Sequence, residues 1–162
     1  MLTDIVVDTN VFVHASNPVV TYCAEAKILL TALKNGTTLL CIDEGYNEDP
    51  ARNQSLIGGE YQENIKPIML AHAIIAELAS TLRIKQVPKR VQPAIAKKIN
   101  QNIPIPRDKT FLKVAINSEN HFLCSHDFEH FPPKKRTKIK GLLNVHIKAA
   151  GETLPFLKKA SG

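Results

Sequence analysis

Three aspartates from distant parts of the chain stand beside short apolar segments. Asp8 directly follows the apolar run over residues 5–7, and Asp127 comes shortly after a second run over residues 122–124. Short apolar runs bounded by polar residues predict buried strands. Because open α/β sheets bind their ligands at the carboxyl ends of the strands, both aspartates are candidates for chemistry. Asp108 opens an amphipathic segment that leads into the second of these strands.

A comparison of lengths predicts that Asp108 and Asp127 lie close together. The predicted helix over residues 108–118 is about 16 Å long at the α-helical rise. A tight turn follows, and the strand over residues 121–125 returns about 16 Å at the extended rise. Because the strand returns over the same distance that the helix covers, Asp108 and Asp127 should lie at the same edge of the sheet. In a parallel sheet this edge also carries Asp8. We therefore expect three acids to converge there.

Converging carboxylates repel one another, and each raises the pKa of the next unless a cation neutralises them. The three aspartates bring oxygen ligands and no cysteine or histidine, a donor set that favours a hard ion, Mg²⁺ or Mn²⁺. A carboxylate site with open positions suits phosphodiester hydrolysis, in which the metal activates a water and stabilises charge on the phosphate. The choice between one ion and two stays open.

Each aspartate also has a plain structural role that would explain it by itself. Asp8 could bond backbone amides after its strand, Asp108 could cap the helix that it opens, and Asp127 could be a turn former. Their convergence at one edge favours a metal site over three separate structural roles.

Strand-like and helix-like segments alternate along the chain. Strands separated by helices predict an α/β protein with a central, mostly parallel, twisted sheet of about four to five short strands and helices on both faces. A long polar loop is predicted over residues 43–56, and residues 134–140 form a basic helix or loop. The predicted strands cover residues 4–7, 38–42, 122–124 and 143–147, and the predicted helices residues 21–33, 56–64, 68–84, 91–103 and 108–118.

Composition limits the class of protein. The chain has 162 residues, 44% of them hydrophobic, which suits one domain with a core; we assign it residues 1–150, with a C-terminal tail over 151–162. No apolar run approaches the ~20 residues that cross a bilayer, and the N-terminus lacks a secretory signal, so no membrane partner is expected. Three widely spaced cysteines favour reduced thiols in a cytoplasmic protein. The net charge of +6 favours a polyanionic partner.

In their order and spacing these motifs resemble those of the PIN-domain family. A strand followed by Asp-Thr-Asn at residues 8–10 comes first. A late helix then opens with Asp108 and continues through an apolar stretch to Ala115, and Ser-His-Asp follows at residues 125–127. The resemblance covers most of the chain. PIN domains are small α/β proteins, so it implies a PIN-like three-layer fold.

The resemblance implies a function as well. Many PIN domains are metal-dependent ribonucleases, so we expect an endoribonuclease that cleaves RNA phosphodiester bonds with a metal-activated water. Asp8, Asp108 and Asp127 would bind the metal, while Asn10 and Ser125 orient the carboxylates. Many bacterial members are toxins of toxin–antitoxin pairs and members form dimers, so an antitoxin and a homodimer are expected partners. A catalytically inactive PIN-fold scaffold that binds nucleic acid or a protein is the alternative.

The family pattern adds a fourth acid on the helix after the second strand, and three glutamates compete for this role. Glu60, near the start of the predicted helix over residues 56–64, is preferred. Glu44 follows the strand directly but lies in the polar loop, and Glu77 on the long helix is weaker. A solvent-facing helix glutamate is the plain alternative. The predicted catalytic and metal-binding set is Asp8, Glu60, Asp108 and Asp127.

Basic residues near the predicted acids are candidates to bind RNA phosphates. Arg107 and Lys109 flank Asp108, and a dense basic run follows Asp127 within a few residues. Such contacts supply affinity without sequence choice and weaken with salt, and a solvated charged surface is the plain alternative. No histidine is predicted to act in catalysis. The candidates in the basic run are Lys134, Lys135, Arg136 and Lys138.

Overall fold

A computed structural model describes residues 1–157 and 159 of the chain. Within that part it contains five β-strands, eight α-helices and one short 3₁₀ helix, Leu154–Phe156. The strands are β1 (Asp4–Val7), β2 (Leu39–Asp43), β3 (Ile84–Val87), β4 (Phe122–Cys124) and β5 (His146–Lys148). The helices are α1 (Thr9–His14), α2 (Cys23–Asn35), α3 (Leu56–Asn64), α4 (Leu70–Ser80), α5 (Pro93–Asn102), α6 (Pro106–Asn117), α7 (Pro133–Leu143) and α8 (Ala150–Thr153).

The strands form one sheet in the order β3-β2-β1-β4-β5, and every pairing is parallel. The chain builds outward from β1 to β3 and then crosses back to add β4 on the other side of β1, where Val6 pairs with Leu123. The strand order therefore reverses between β1 and β4. In open α/β sheets the crevice at such a reversal, outside the carboxyl ends of the strands, is where ligands bind.

Helices cover both faces of this sheet, so the predicted three-layer α/β fold is confirmed. Helix α2 packs against α4 and α8, whereas α6 packs against α3 and α5. Every residue of β1 is buried, which agrees with a central parallel strand whose two faces both contact helices. The three cysteines are buried and unbridged in the described chain. No helix in the described residues is long and apolar enough to cross a membrane.

The helix predicted over residues 68–84 is wrong in its last four residues. Helix α4 ends at Ser80, Leu82 takes a left-handed conformation with φ of +57°, and the chain then forms β3. Strand β3 pairs only with β2 at the edge of the described sheet. One face of β3 and its unpaired edge both reach solvent. The strand therefore carries polar residues and lacks the apolar run that marked the central strands.

Two further boundaries differ from the prediction. The chain turns into α1 directly after Asp8, where no helix was predicted. Helix α7 runs on to Leu143 and ends at Asn144 in a left-handed conformation, with φ of +55°. The last strand therefore begins at His146 and not at residue 143.

Residues that follow the predicted domain boundary continue to pack on the domain. Helix α8 contacts α2, and Leu157 is buried and bridges to Leu2 at the start of the chain. The division at residue 150 stays a prediction. Residues 158 and 160–162 of the predicted tail lie outside the described residues.

Candidate metal centre

Asp8 lies at the carboxyl end of β1, at the point where the strand order reverses. Its backbone N–H donates to the carbonyl of Cys124 at the end of β4, at 2.8 Å. The side chain is not an N-cap acceptor for α1 in the described chain. Its Oδ2 instead accepts hydrogen bonds from Ser125 Oγ at 2.8 Å and Asn10 Nδ2 at 3.2 Å, and the residue is only 4% exposed. The carboxylate is therefore held toward the neighbouring loop.

Asn10 and Ser125 also tie together the loops that follow β1 and β4. The Asn10 Oδ1 accepts a hydrogen bond from the His126 backbone N–H at 3.1 Å. The Ser125 Oγ accepts one from the Asp127 backbone N–H at 3.1 Å. The side chains of Asn10 and Ser125 thus orient Asp8 and fix the backbone that carries Asp127.

Asp108 and Asp127 meet at this edge, and the ring of His130 lies between them. Asp108 is the third residue of α6, and at 1% exposure neither of its carboxylate oxygens accepts a hydrogen bond from any described residue. His130 Nδ1 lies 3.1 Å from Asp108 Oδ2 and 2.8 Å from Asp127 Oδ2. One ligand atom from each of the three residues fits within 4.8 Å of the other two, an arrangement that could hold a metal ion.

The turn after β4 explains how Asp127 and His130 come to face the same point. Asp127 Oδ1 accepts the His130 backbone N–H at 2.8 Å, and the Asp127 carbonyl accepts the Phe131 N–H at 3.1 Å. Asp127 therefore also acts as the turn former of the plain alternative, with one oxygen. Its second oxygen faces the His130 ring.

Burial and mutual repulsion raise the pKa values of the central acids. Burial raises the pKa of Asp8 to about 6; the Ser125 hydrogen bond opposes this shift, and the charges of Asp108 and Asp127 add to it. Burial also raises the pKa of Asp108; the charge of His130 opposes that rise and the charge of Asp127 adds to it. The cluster therefore carries negative charge at a cost in free energy, which a bound cation would relieve.

Asp8 and Glu60 are not part of the group of Asp108, Asp127 and His130 whose ligand atoms lie within 4.8 Å of one another. Of the three candidate glutamates, Glu60 shares a neighbour with Asp108. Arg107 links them, with its guanidinium 3.8 Å from Glu60 Oε2 and 3.9 Å from Asp108 Oδ1. Burial raises the pKa of Glu60, Arg107 opposes that shift, and the charge of Asp108 contributes to it. Glu44 is exposed in the loop after β2. Glu77 pairs with Lys34 at 3.5 Å, near the ends of the helices that lead to the opposite, amino edge of the sheet.

Asp43, at the end of β2, positions the helix that carries Glu60. Its buried carboxylate accepts hydrogen bonds from Ser55 Oγ at 2.5 Å and from the backbone N–H groups of Leu56 and Ile57 at 2.7 and 2.8 Å. Lys89 Nζ lies 3.2 Å away and balances its charge. The long polar loop is thereby closed onto β2, and α3 begins beside the acidic cluster.

The predicted phosphate-binding residues divide into two groups. Lys134 and Lys138 are exposed on α7, and Lys109 and Lys135 are half-buried. Arg136 is turned inward: its guanidinium donates to the carbonyls of Phe131 at 2.6 Å and Ser125 at 3.1 Å. It also lies 4.6 Å from the centre of the Phe128 ring. Arg136 therefore holds the Asp127 loop, whereas the lysines are the residues free to meet a phosphate.

No role was predicted for His130, although its position three residues after Asp127 in a predicted turn pointed to this site. A groove with a volume of about 260 Å³ lies between α3 and α6; Glu60 and Arg107 line it, but Asp8, Asp108, Asp127 and His130 do not. Its lining residues are Leu56, Ile57, Glu60, Pro106, Arg107, Thr110 and Phe111.

No protein-family model, no curated protein and no solved structure matches this chain.

Proposed function

We propose that this chain is a PIN-like, metal-dependent endoribonuclease whose Mg²⁺ or Mn²⁺ is held by Asp8, Asp108, Asp127 and Glu60. The observation that carries the proposal is Asp108. Its carboxylate is 1% exposed, accepts no hydrogen bond from the described residues and faces a second carboxylate. Buried charges are paired or bind metals, because an uncompensated one costs several kcal/mol. A divalent cation between these oxygens would remove that cost.

The donor set fits such an ion. Carboxylate oxygens are the ligands that Mg²⁺ and Mn²⁺ prefer. When bound, the cation would supply an activated water and stabilise the charge that develops on the scissile phosphate. Ser125 and Asn10 hold Asp8 in a single orientation. Arg107, beside Glu60 and Asp108, brings a positive charge to the place where a phosphate would approach.

RNA is the substrate class that the surface of the molecule favours. The net charge is +6, and the exposed lysines of α7 follow the Asp127 turn closely in sequence. Lysines on one helix can contact successive phosphates of an RNA strand. Such contacts supply affinity without distinguishing one base sequence from another. The groove between α3 and α6, which Glu60 and Arg107 line, is a further surface that an RNA strand reaching Arg107 would contact.

The resemblance to PIN domains supports two proposed protein partners. An antitoxin that covers the acidic crevice would keep the enzyme inactive, and a second copy of the chain would form a homodimer. The apolar residues of α4 are mostly used by the core, since Ala71, Ile74, Ile75 and Leu78 are buried. Ile68 and Leu70 next to them are exposed. Light scattering of the purified chain at several concentrations would test for the dimer.

One observation favours the alternative, an inactive scaffold that binds nucleic acid or a protein. The imidazole of His130 already lies between Asp108 and Asp127. In its protonated form it would offset one of their two negative charges without a metal. On this alternative the acids are a structural cluster, and the chain binds its partner without cleaving it.

Cleavage of a mixed set of single-stranded and structured RNAs separates the two functions. The reactions would contain Mn²⁺, Mg²⁺ or EDTA, with the wild type, Asp8→Asn and the matched control Asp49→Asn. Asp49 is an exposed loop residue. We expect cleavage that needs the metal, is lost in Asp8→Asn and persists in Asp49→Asn. Salt-sensitive RNA binding with no cleavage in either metal would reject the nuclease and support the scaffold.

A further inference from the structure

We propose that His130 is itself a ligand of the metal, so that the centre is a mixed carboxylate–imidazole site that selects transition-metal ions over Mg²⁺. This inference rests on the proposed metal site. It adds a residue outside the set of four acids and changes which ion the protein takes. Three observations on the turn after β4 carry it.

The first observation is the spacing of the donor atoms. Neighbouring ligands of an octahedral ion with bonds of about 2.1 Å are roughly 3.0 Å apart. His130 Nδ1 lies 3.1 Å from Asp108 Oδ2 and 2.8 Å from Asp127 Oδ2. These two distances match two edges of such an octahedron. The two carboxylates lie within 4.8 Å of each other, so an ion beside the ring nitrogen is within reach of both.

The second observation is that the three groups are close but poorly bonded to one another. The contact of His130 Nδ1 with Asp108 Oδ2, at 3.1 Å, is at best a poorly aligned hydrogen bond, and neither Asp108 oxygen accepts a hydrogen bond from another described residue. Buried polar groups are nearly always satisfied in native proteins. A cation bound between Asp108, Asp127 and His130 (the trio) would satisfy the ring nitrogen and the carboxylates together.

The third observation is that the backbone sets the ring in place. The Asp127 carboxylate accepts the His130 backbone N–H through Oδ1, at 2.8 Å, and presents Oδ2 to the ring. The turn thus orients two of the donors relative to each other. The His130 side chain is 34% exposed, so solvent and ions reach the trio from that side.

An imidazole ligand changes the preference of the centre. Sites built of carboxylates and water suit Mg²⁺, whereas imidazole suits later transition metals, and affinity rises from Mn²⁺ to Co²⁺. The wild type should therefore bind Co²⁺ and Mn²⁺ more tightly than Mg²⁺. In cleavage assays Mn²⁺ should support activity at lower concentrations than Mg²⁺ does.

The competing role for His130 is that of a counter-ion to the two carboxylates. This role predicts the opposite effect on metal affinity when the imidazole is removed. A protonated imidazole between two carboxylates would have to leave before a metal could enter. Removing it would then strengthen the binding of every divalent ion. Removing a ligand would weaken the binding of Co²⁺ by about tenfold or more, the loss known for partners that merely orient ligands, and would affect Mg²⁺ less.

Titration calorimetry of the metal-free chain with CoCl₂ and with MgCl₂ tests this difference without measuring activity. The proteins are the wild type, His130→Ala, His130→Asp and the control His72→Ala, which changes an exposed histidine on α4. We expect His130→Ala to lose Co²⁺ affinity and keep most of its Mg²⁺ affinity. We expect His130→Asp, which offers oxygen, to shift the preference toward Mg²⁺. Stronger or unchanged Co²⁺ binding in His130→Ala would overturn the proposal.

Pulsed electron paramagnetic resonance of the Mn²⁺-loaded wild type provides a test that needs no folded variant. A directly bound imidazole nitrogen should modulate the Mn²⁺ echo, and its absence would overturn the proposal. Failure of this proposal and failure of the nuclease can be told apart. Metal-dependent cleavage with no nitrogen coupling would reject only the role of His130, whereas a wild type that binds no divalent ion would reject both.

Discussion

Asp8→Asn should stabilise the metal-free protein at neutral pH while it abolishes metal-dependent cleavage. The carboxylate is 4% exposed; burial raises its pKa to about 6, and the charges of Asp108 and Asp127 add to that rise. An asparagine at this position keeps an oxygen that can accept the hydrogen bonds from Ser125 and Asn10. The substitution removes the charge and leaves the local geometry in place.

The size and the sign of the effect follow from the pKa shift. Folding raises the Asp8 pKa from 3.8 to about 6, a difference worth about 3 kcal/mol at most. Between these two values the folded protein keeps a proton that the unfolded chain has lost, so the folded state loses stability as pH rises from about 4 to 6. The unfolding free energy of Asp8→Asn minus that of the wild type should therefore grow by up to about 3 kcal/mol between pH 4 and pH 7.

Urea unfolding followed by circular dichroism in EDTA, at several pH values, measures this difference. Groups common to both proteins, such as His126, contribute equally to the two unfolding free energies at each pH. Their contributions therefore drop out of the difference. Adding Mn²⁺ should then stabilise the wild type alone, because only its folded state binds the ion. A difference between the two proteins that is constant from pH 4 to pH 7 would refute the argument, and Asp49→Asn should show no trend.

Four further predictions concern parts of the molecule that support the centre. Asp43→Ala should lower the unfolding free energy by about 3–5 kcal/mol, because it leaves the Lys89 charge and the first amides of α3 without their buried acceptor; urea unfolding measures the loss. Arg136→Lys should cost about 1.5–3 kcal/mol in the same assay, since a lysine does not reproduce the paired contacts to the Asp127 loop. Burial lowers the pKa of His126 to about 4, so acidification from about pH 6.5 to 4 should destabilise the wild type, and His126→Gln should remove that share of the acid sensitivity. Replacing the three lysines at 134, 135 and 138 by alanine should reduce the slope of log affinity against log salt by about 2 for single-stranded RNA, which filter binding at several salt concentrations would show.

The positions of the principal acids were accessible from the sequence for a simple reason. Parallel strands share one carboxyl edge, and the helix opened by Asp108 is matched in length by the strand that returns to Asp127. Local rules of rise and period therefore sufficed to predict that Asp108 and Asp127 would meet. The same rules predicted the α/β class and the helix over residues 56–64 that carries Glu60.

Local rules failed where neighbours in space decided the outcome. Residues 84–87 look like the tail of a helix, and they become β3 because β2 offers an unpaired edge to them. Asp43 lies in a stretch rich in turn formers, and only the closed loop shows that its carboxylate caps α3 and pairs with Lys89. Propensity describes one segment at a time, whereas strand pairing and buried hydrogen bonds depend on the segment opposite.

The sequence by itself determined the alternation of strands and helices and the edge at which Asp8, Asp108 and Asp127 stand, because both follow from the chain's own period and length. Only the tertiary structure decided what surrounds the carboxylates. It placed His130 between two of them, turned Arg136 inward to hold their loop, and buried Asp108 without a hydrogen bond from the described residues. Those features come from contacts between side chains, and three-dimensional packing determines which side chains meet.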